Sequence, residues 1–390
     1  MFFIIAIGML WIMHGYVAWR FIPTLGFSSS QTILAYTAVF ILSLLPILPI
    51  ALRMSGNESK LIDKFSFVGY TSLGFFTLSF FIFVAKDLVL QLIALLGHII
   101  NEDNPFDNSK RDFIKKSISI SMITLAGSAT VYGFYSARKG PFIIKHDIYI
   151  KNLPEAYENF SIAQISDLHV GPTIKRPYVE DVLEKISHLN PDFIAVTGDL
   201  VDGSVKYLKS DLQPLKDMIA PYGTFFVTGN HEYYSGVDQW LDETDRLGMK
   251  NLINSYELIS RAGDQIVIAG VTDFRAHQIK ASHRSNPGLA LKSVPGNLKK
   301  IVLAHQPSSI FDVHKTGADL QLSGHTHGGQ FWPFTYPVKM THPYIAGLHD
   351  HHGTQIYVNR GTGYWGPPLR IGVPAEITFF HLKKITEQSL

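Results

Sequence analysis

The chain has 390 residues, 46% of them hydrophobic, a formal net charge of +2 and no cysteine. The small charge and the lack of a basic cluster in the second half argue against nucleic acid as the main partner, because phosphate-backbone affinity needs many Lys and Arg on one face. Without cysteine there are no disulfides, thiolate nucleophiles or Cys-based zinc sites, so any metal must be held by His, Asp, Glu, Asn or carbonyl oxygens.

Apolar runs dominate up to about Tyr135. A bilayer crossing needs roughly 20 apolar residues, and residues 2–19, 33–52, 65–84 and 118–135 qualify as spans. Residues 88–100 are also apolar, but the run is short and set off by Lys86 and Asp87; it reads as a fifth span, a re-entrant piece or an interfacial helix. The first run lacks a basic n-region and other apolar runs follow it, which argues against a cleaved signal peptide. Lys110, Arg111, Lys115 and Lys116 crowd the start of the last span, against Arg138 and Lys139 after it, so positive-inside logic puts the first group in the cytoplasm. Everything after Tyr135 then lies outside the cytoplasmic membrane, with four spans or five. Arg53, Lys60 and Lys64 join the Lys110 cluster only in the five-span arrangement, which slightly favours it. The stretch SKRDFIK, residues 109–115, resembles a twin-arginine export signal with Lys110 in place of the first arginine; the alternative is a plain basic flank. The expected division is a membrane region over 1–140 and a soluble domain over 141–390.

From Phe160 the pattern changes to a repeated unit: a short apolar run rich in β-branched residues, a loop of Gly, Asp and His, then an amphipathic helix. This is an α/β signature. The run 160–165 ends in SDLH, and Pro177 then opens a helix with Val179, Val182, Leu183, Ile186 and Leu189 on one face. The runs 193–196, 224–227, 301–304 and 320–322 end in TGDLVDG, TGNHEYY, HQP and SGHTHGG. Open α/β sheets carry their sites at the carboxyl ends of strands, so these loops are expected to converge. Singly, Asp167, Asp199 and Asn230 read as turn formers or caps, and a lone His as a hydrogen-bonded surface residue. Together Asp167, His169, Asp199, Asn230, His305, His325 and His327 all follow expected strands and carry donors suited to borderline divalent metals. Alternation in a short extended segment is expected to send His325 and His327 to the same side, with Gly324, Gly328 and Gly329 giving clearance.

The ordered set DLH, GDLVDG, GNHE, the lone His of LAHQP and GHTHGG resembles the motifs of the calcineurin-like metallophosphoesterases, over most of residues 160–381. GHTHGGQFWP and NRGTGYWGPPLRIGVPAEI further resemble a bacterial branch whose members are often tethered to the membrane. The resemblance implies an α/β fold, a double β-sheet sandwich flanked by helices, here preceded by an all-α transmembrane region. It implies two divalent metal ions, Mn, Fe or Zn, that clamp a phosphate and turn a bridging water into hydroxide. Asp167, His169, Asp199 and His327 would hold one ion and Asp199, Asn230, His305 and His325 the other, with Asp199 bridging.

The resemblance also makes His231 catalytic, near the leaving group as proton donor or transition-state stabiliser, with Asp202 orienting it. A turn role beside Gly203 is the alternative for Asp202. The protein serine/threonine phosphatases of this superfamily carry arginine where this chain has Gly203, which argues against a phosphoprotein substrate. Arg360 is then a candidate for substrate binding, against a plain surface arginine, and Asp273 a weaker one. His349, Asp350, His351 and His352 read as a solvated loop. Tyr233, Tyr234, Trp332 and Trp365 suit a substrate groove, a membrane interface or the core.

The expected function is a membrane-anchored phosphoesterase acting on a phosphodiester or phosphomonoester, with a lipid-linked or envelope substrate, at the outer face of a bacterial cytoplasmic membrane whose lipids it contacts. One rival is a cytoplasm-facing pyrophosphohydrolase of a nucleotide-linked lipid, of the lipid A precursor type. Another is a transporter or sensor regulated by a phosphoesterase-like module; intramembrane ionisable residues are few, His14 being the clear case, which argues against it.

Overall fold

Long apolar sequence becomes long helix in the N-terminal part of the computed structural model, which describes residues 2–100 and 108–385. The chain divides into two units, Met1–Tyr135 with Gly366–Leu369, and Ser136–Trp365 with Arg370–Leu390. Helices α1 (Phe2–Phe21), α2 (Ser29–Leu44), α3 (Ile47–Met54), α4 (Lys60–Ile100) and α5 (Asn108–Arg138) follow in order. Ser28 and Gln31 cap α2 reciprocally, which satisfies two of its orphan backbone donors. Pro46, with no N–H to give, separates α2 from α3. Gly69 lets α4 approach that break, since a Cβ there would lie 2.4 Å from the Leu45 carbonyl oxygen. Three segments are long and apolar enough to cross a membrane among the residues described: Ser29–Arg53, Lys60–Leu96 and Asp112–Arg138. The first expected span is helical as α1, 20 residues long, with the side chains of residues 2–6 outside the described ones; within SKRDFIK, those of Ser109 and Arg111 are likewise outside.

Helix α4 corrects the reading of residues 88–100. It runs 41 residues without a break, about 60 Å at 1.5 Å per residue, so that stretch is helix continuous with the third expected span rather than a segment set off at Lys86 and Asp87. Asp87 interrupts nothing, because Tyr16 and Arg20 of α1 bond to its carboxylate and Lys86 lies 3.1 Å from it. Arg53 pairs with Asp63 in the same way. His14 is buried, its Nδ1 bonded to the Leu10 carbonyl at 2.8 Å and its ring stacked on Phe76 at 4.1 Å, so packing accounts for it.

In the second unit the strands are β1 (Phe142–Ile150), β2 (Ser161–Ile165), β3 (Phe193–Val196), β4 (Thr224–Phe226), β5 (Lys250–Asn251), β6 (Ser255–Arg261) and β7 (Asp264–Gly270). There follow β8 (Lys299–Leu303), β9 (Leu320–Ser323), β10 (Gly347–His351), β11 (Thr354–Val358) and β12 (Glu376–Lys384). They form two six-stranded sheets in the orders β1-β12-β2-β3-β4-β5 and β10-β11-β9-β8-β7-β6. Within them β2 to β5 are mutually parallel, as are β7, β8, β9 and β11.

Side-chain alternation builds the layers. Phe193 and Ala195 of β3 face the other sheet, where Ile268, Ile301, Leu303, Leu320, Leu322 and Tyr357 meet them. Ile194 and Val196 face outward onto α6 (Arg176–Leu189) and its neighbours through Val179, Val182, Ile186, Leu208 and Trp240. Burying each such aliphatic side chain contributes roughly 1.5–3 kcal/mol, which fixes strand register, because a one-residue slip would turn both faces over. Helix α6 opens with Pro177 in its first turn and closes at left-handed Asn190, φ 45°. The result is the sandwich flanked by helices that the resemblance implies. The His349–His352 stretch is not a solvated loop: it lies in β10 and the hairpin joining it to β11.

Candidate metal centre

Loops after five strands bring the expected residues together. Asp167 and His169 follow β2, Asp199 and Asp202 follow β3, Asn230 and His231 follow β4, His305 follows β8, and His325 and His327 follow β9. The donor atoms converge in three overlapping groups: Asp167 with His169 and His327, His169 with Asp199 and His231, and Asp199 with His305 and His325. His169 Nε2 lies 3.1 Å from His327 Nε2, and His305 Nε2 lies 3.1 Å from His325 Nδ1. Asp199 Oδ2 stands between the pairs, 3.8 Å from His169 Nε2 and 3.1 Å from His305 Nε2. Asp167, His169, Asp199, His305 and His327 are all buried.

The backbone reaches this arrangement by a route the expected alternation does not describe. Asp167, His169, Asp199, His325 and His327 have φ of 53°, 50°, 54°, 72° and 50°, the left-handed region that ordinary side chains avoid. Thr326 between the last two is right-handed, φ −82°. The segment is a coil of alternating handedness rather than extended chain, and it delivers His325 and His327 to different donor groups. Gly324 permits the close approach: a Cβ there would lie 1.9 Å from Ser166 Oγ and 2.2 Å from Asp167 Oδ2. Surrounding bonds hold the strained residues. Asp167 accepts the His325 N–H through both oxygens, at 3.0 and 2.9 Å. Buried Glu232, the last residue of GNHE, accepts the N–H groups of Asp199 at 3.0 Å, Leu200 at 2.8 Å and Gly229 at 2.6 Å, and so ties the β3 and β4 loops together.

The second nitrogens of His305, His169 and His327 have partners. His305 Nδ1 donates to the Thr197 carbonyl at 2.8 Å, so in the neutral ring the lone pair is on Nε2. Burial disfavours its charge, but the Asp199 carboxylate raises its pKa well above the ordinary value, so a cation there would displace a proton. Asp202 lies 3.2 Å from His169 Nδ1 and also bonds His231 Nδ1. On His327 the partner is a cation: Arg370, fully buried, has Nη2 3.3 Å from His327 Nδ1 and donates to the carbonyls of His327, Arg360, Gly361 and Gly363. Burial lowers the Arg370 pKa to about 10, so it stays charged at neutral pH.

These charges set the proton states. Burial alone would lower the His231 pKa, but the Asp202 carboxylate, with Asp199 behind it, raises it to about 9. Burial opposes ionisation of Asp202 and Asp199, yet the neighbouring imidazoles hold both carboxyls well below their usual range. Burial and the Asp199 charge push Glu232 up to about 7. Burial and the adjacent His305 and His169 hold His325 and His327, respectively, well below the ordinary histidine value, so both rings stay neutral.

The residues fit a resident metal. Asn230 Oδ1, in the β4 loop beside His231, is a buried carbonyl oxygen without a hydrogen-bond partner, which suits a cation ligand. The other expected residues sort differently. Arg360 lies 3.5 Å from buried Glu376, so a substrate phosphate would compete with that carboxylate for it. Buried Asp273 accepts from Gln306 Nε2 at 2.7 Å and from the Arg275 N–H at 2.9 Å, which makes it a brace for the loop. Tyr233 is core, its hydroxyl 2.9 Å from His283 Nδ1. Tyr234 and Trp365 are exposed, with rings 5.3 and 5.6 Å from that of His231, and line the mouth of the site; Trp332 is exposed beyond the motif. Sequence reasoning missed Glu232 and Arg370. Glu232 sits inside a motif, at the third helical position after Gly229, where a glutamate commonly reaches back to the N-cap N–H as it does here, whereas no local pattern signals Arg370.

The calcineurin-like phosphoesterase family model matches residues 160–329. A transmembrane protein with metallophosphoesterase domain from Danio rerio is 32% identical over 330 residues, 82% of this chain and 74% of that protein. An uncharacterized metallophosphoesterase of Helicobacter pylori is 36% identical over 279 residues, 71% of this chain and 73% of the relative. Another, of Campylobacter jejuni, is 33% identical over 308 residues, 78% of each chain. Similarity of that extent, in bacteria and vertebrates alike, means that the chain belongs to the calcineurin-like metallophosphoesterase family and is a hydrolase of phosphoric ester bonds.

Proposed function

We propose that the chain is a membrane-anchored enzyme that hydrolyses a phosphodiester or phosphomonoester with two divalent metals. The observation that carries this is the pair of nitrogen–nitrogen approaches of 3.1 Å, His169 to His327 and His305 to His325, on either side of Asp199. Asp167, His169, Asp199 and His327 would hold one ion, and Asp199, Asn230, His305 and His325 the other. The chemistry such ions supply is Lewis acidity at the phosphoryl oxygens and a lowered pKa for the attacking water.

The chain's own residues do the rest. Asp202 engages His231 Nδ1 and leaves its Nε2–H for the leaving-group oxygen. Its charge keeps His231 protonated at neutral pH, and bound cations oppose that rise, so the working value lies below about 9. Tyr234 and Trp365 stand beside His231 and shield that proton from bulk water.

The apolar helices support anchoring, and anchoring supports a substrate presented by the envelope, such as a phospholipid headgroup or a lipid-linked phosphodiester. On the Lys110 to Lys116 cluster the domain faces outward. The cytoplasm-facing reading gains from one observation: with α4 unbroken, Arg53, Lys60 and Lys64 fall on the domain's side of the membrane rather than with the Lys110 cluster. Two experiments test this. The full chain in detergent should hydrolyse bis-nitrophenyl or nitrophenyl phosphate only with added manganese, and His231→Ala should abolish turnover; metal-independent turnover would defeat the mechanism. An alkaline phosphatase fusion after Leu390 should be active if the domain is exported, and inactive if a cytoplasmic pyrophosphate is the substrate.

A further inference from the structure

The histidines around the β10–β11 hairpin take no part in the centre above, and they are grouped. The ring of His314, which follows the short helix Ile310–Val313, lies 5.1 Å from that of His351 and 5.4 Å from that of His352. His351 and His352 are 4.7 Å apart. In the metal centre the two imidazole pairs whose nitrogens approach to 3.1 Å have ring separations of 5.1 and 5.0 Å. Similar ring separations recur across all three pairs here, although their donor atoms do not yet converge as those of the main centre do.

Two further observations point to a ligand. The Tyr344 hydroxyl donates to the Asp350 carbonyl at 3.3 Å, so its oxygen accepts from His351 Nδ1 at 3.0 Å. With the proton on Nδ1, His351 keeps a lone pair on Nε2, the way an outer partner orients a metal-binding imidazole. His352 and Gly353 form the two-residue turn between paired His351 and Thr354, with φ of 53° and 86°. Positive φ at both positions marks the hairpin turn in which Asn-Gly is favoured. An imidazole occupies the asparagine's place. Ile310 packs with Ile356 and Val358 of β11 and seats His314 against the hairpin, while Phe311 lies 5.4 Å from His351.

We propose that His314, His351 and His352 form a further metal site, which takes Zn²⁺, Cu²⁺ or Ni²⁺ through three imidazoles and a water. Among the described residues, the donors that already converge belong to the main centre. Here the rings meet at angles of 70°, 40° and 79°, and loading requires exposed His352 to turn toward the other two. Surface side chains rotate on the picosecond to nanosecond scale. The ion pins the hairpin to the segment carrying His314, and the site stands independently of the phosphoesterase mechanism.

The test is a zinc count on the untagged full chain in detergent, dialysed against micromolar Zn²⁺ and compared in pairs. Asp199→Asn first weakens the main centre. In that background, His352→Asn and His314→Ala should each lower bound zinc by one equivalent per chain, and His349→Ala should leave it unchanged. His352→Asn installs the favoured turn pair, so misfolding cannot explain its loss. Loading with Cu²⁺ should give an electron paramagnetic resonance signal with nitrogen hyperfine structure that the same two variants remove. Equal zinc in Asp199→Asn and Asp199→Asn/His352→Asn would overturn the proposal.

Discussion

His169 and His327 are backed by charge, whereas His305 is backed by a neutral carbonyl. On the first side Asp202 faces His169 Nδ1 and Arg370 faces His327 Nδ1, an anion and a cation behind two ligands whose Nε2 atoms nearly touch. On the second side Thr197 fixes His305, and the buried oxygen of Asn230 is orphaned. The same ligand chemistry thus serves two purposes. On the proposed mechanism the second half would hold an ion, while the first also couples to His231, since Asp202 is shared between His169 and His231.

Removing the element common to both halves should have the largest effect. Asp199→Asn is expected to reduce kcat by at least about 1,000-fold, because metal-based charge stabilisation is worth several kcal/mol, and to lower bound metal on both sides; retention of full metal content would break the comparison. Arg370→Met strikes one half only. It leaves several buried carbonyls without a donor and should lower unfolding free energy by about 3 kcal/mol, read from the urea midpoint. Asp202→Asn should reduce kcat roughly 10–100-fold, the usual range for an outer partner of a metal site. The sign of its pH effect is fixed: the Asp202 carboxylate stabilises the His231 imidazolium and raises its pKa, so its loss must move the alkaline limb of the rate profile to lower pH. An unmoved limb would mean that His231 is not the acid. The smallest effect is expected for Trp365→Ala, a two- to tenfold rise in KM for an aromatic ester with kcat nearly unchanged, in line with about 0.5–1.5 kcal/mol for an aromatic contact.

Much of the site was legible because ligands follow strands, and strands are visible as short apolar runs between turn residues. Asp167, His169, Asp199, Asn230, His305, His325 and His327 were each singled out that way, and the donor atoms of the six Asp and His residues among them converge in overlapping groups. The path of the chain between them was not legible. Extended alternation was the natural expectation for His325 and His327, but their positive φ values depend on the Asp167 carboxylate held beneath the loop, 158 residues away. Arg370 was invisible for the same reason, because its partners are carbonyls that only the fold assembles. In the helical half the error ran the other way. Lys86 and Asp87 looked like a boundary because charge in an apolar run normally marks one, and the pairing with Tyr16 and Arg20 that removes the boundary comes from another helix.

The sequence by itself determined the long apolar helices, the α/β repeat and the order of the candidate metal-binding residues, since each rests on periodicities of 2 and 3.6 and on loop composition within a few residues. Tertiary structure alone decided which ligands adopt left-handed backbone, that α4 continues through its charged pair, that Arg360 is engaged by Glu376, and that three histidines gather at a hairpin. The first three depend on a hydrogen bond or an ion pair between residues distant in sequence, and the last on the packing of Ile310 against Ile356 and Val358; the free energy of such contacts is set by burial that no local window contains.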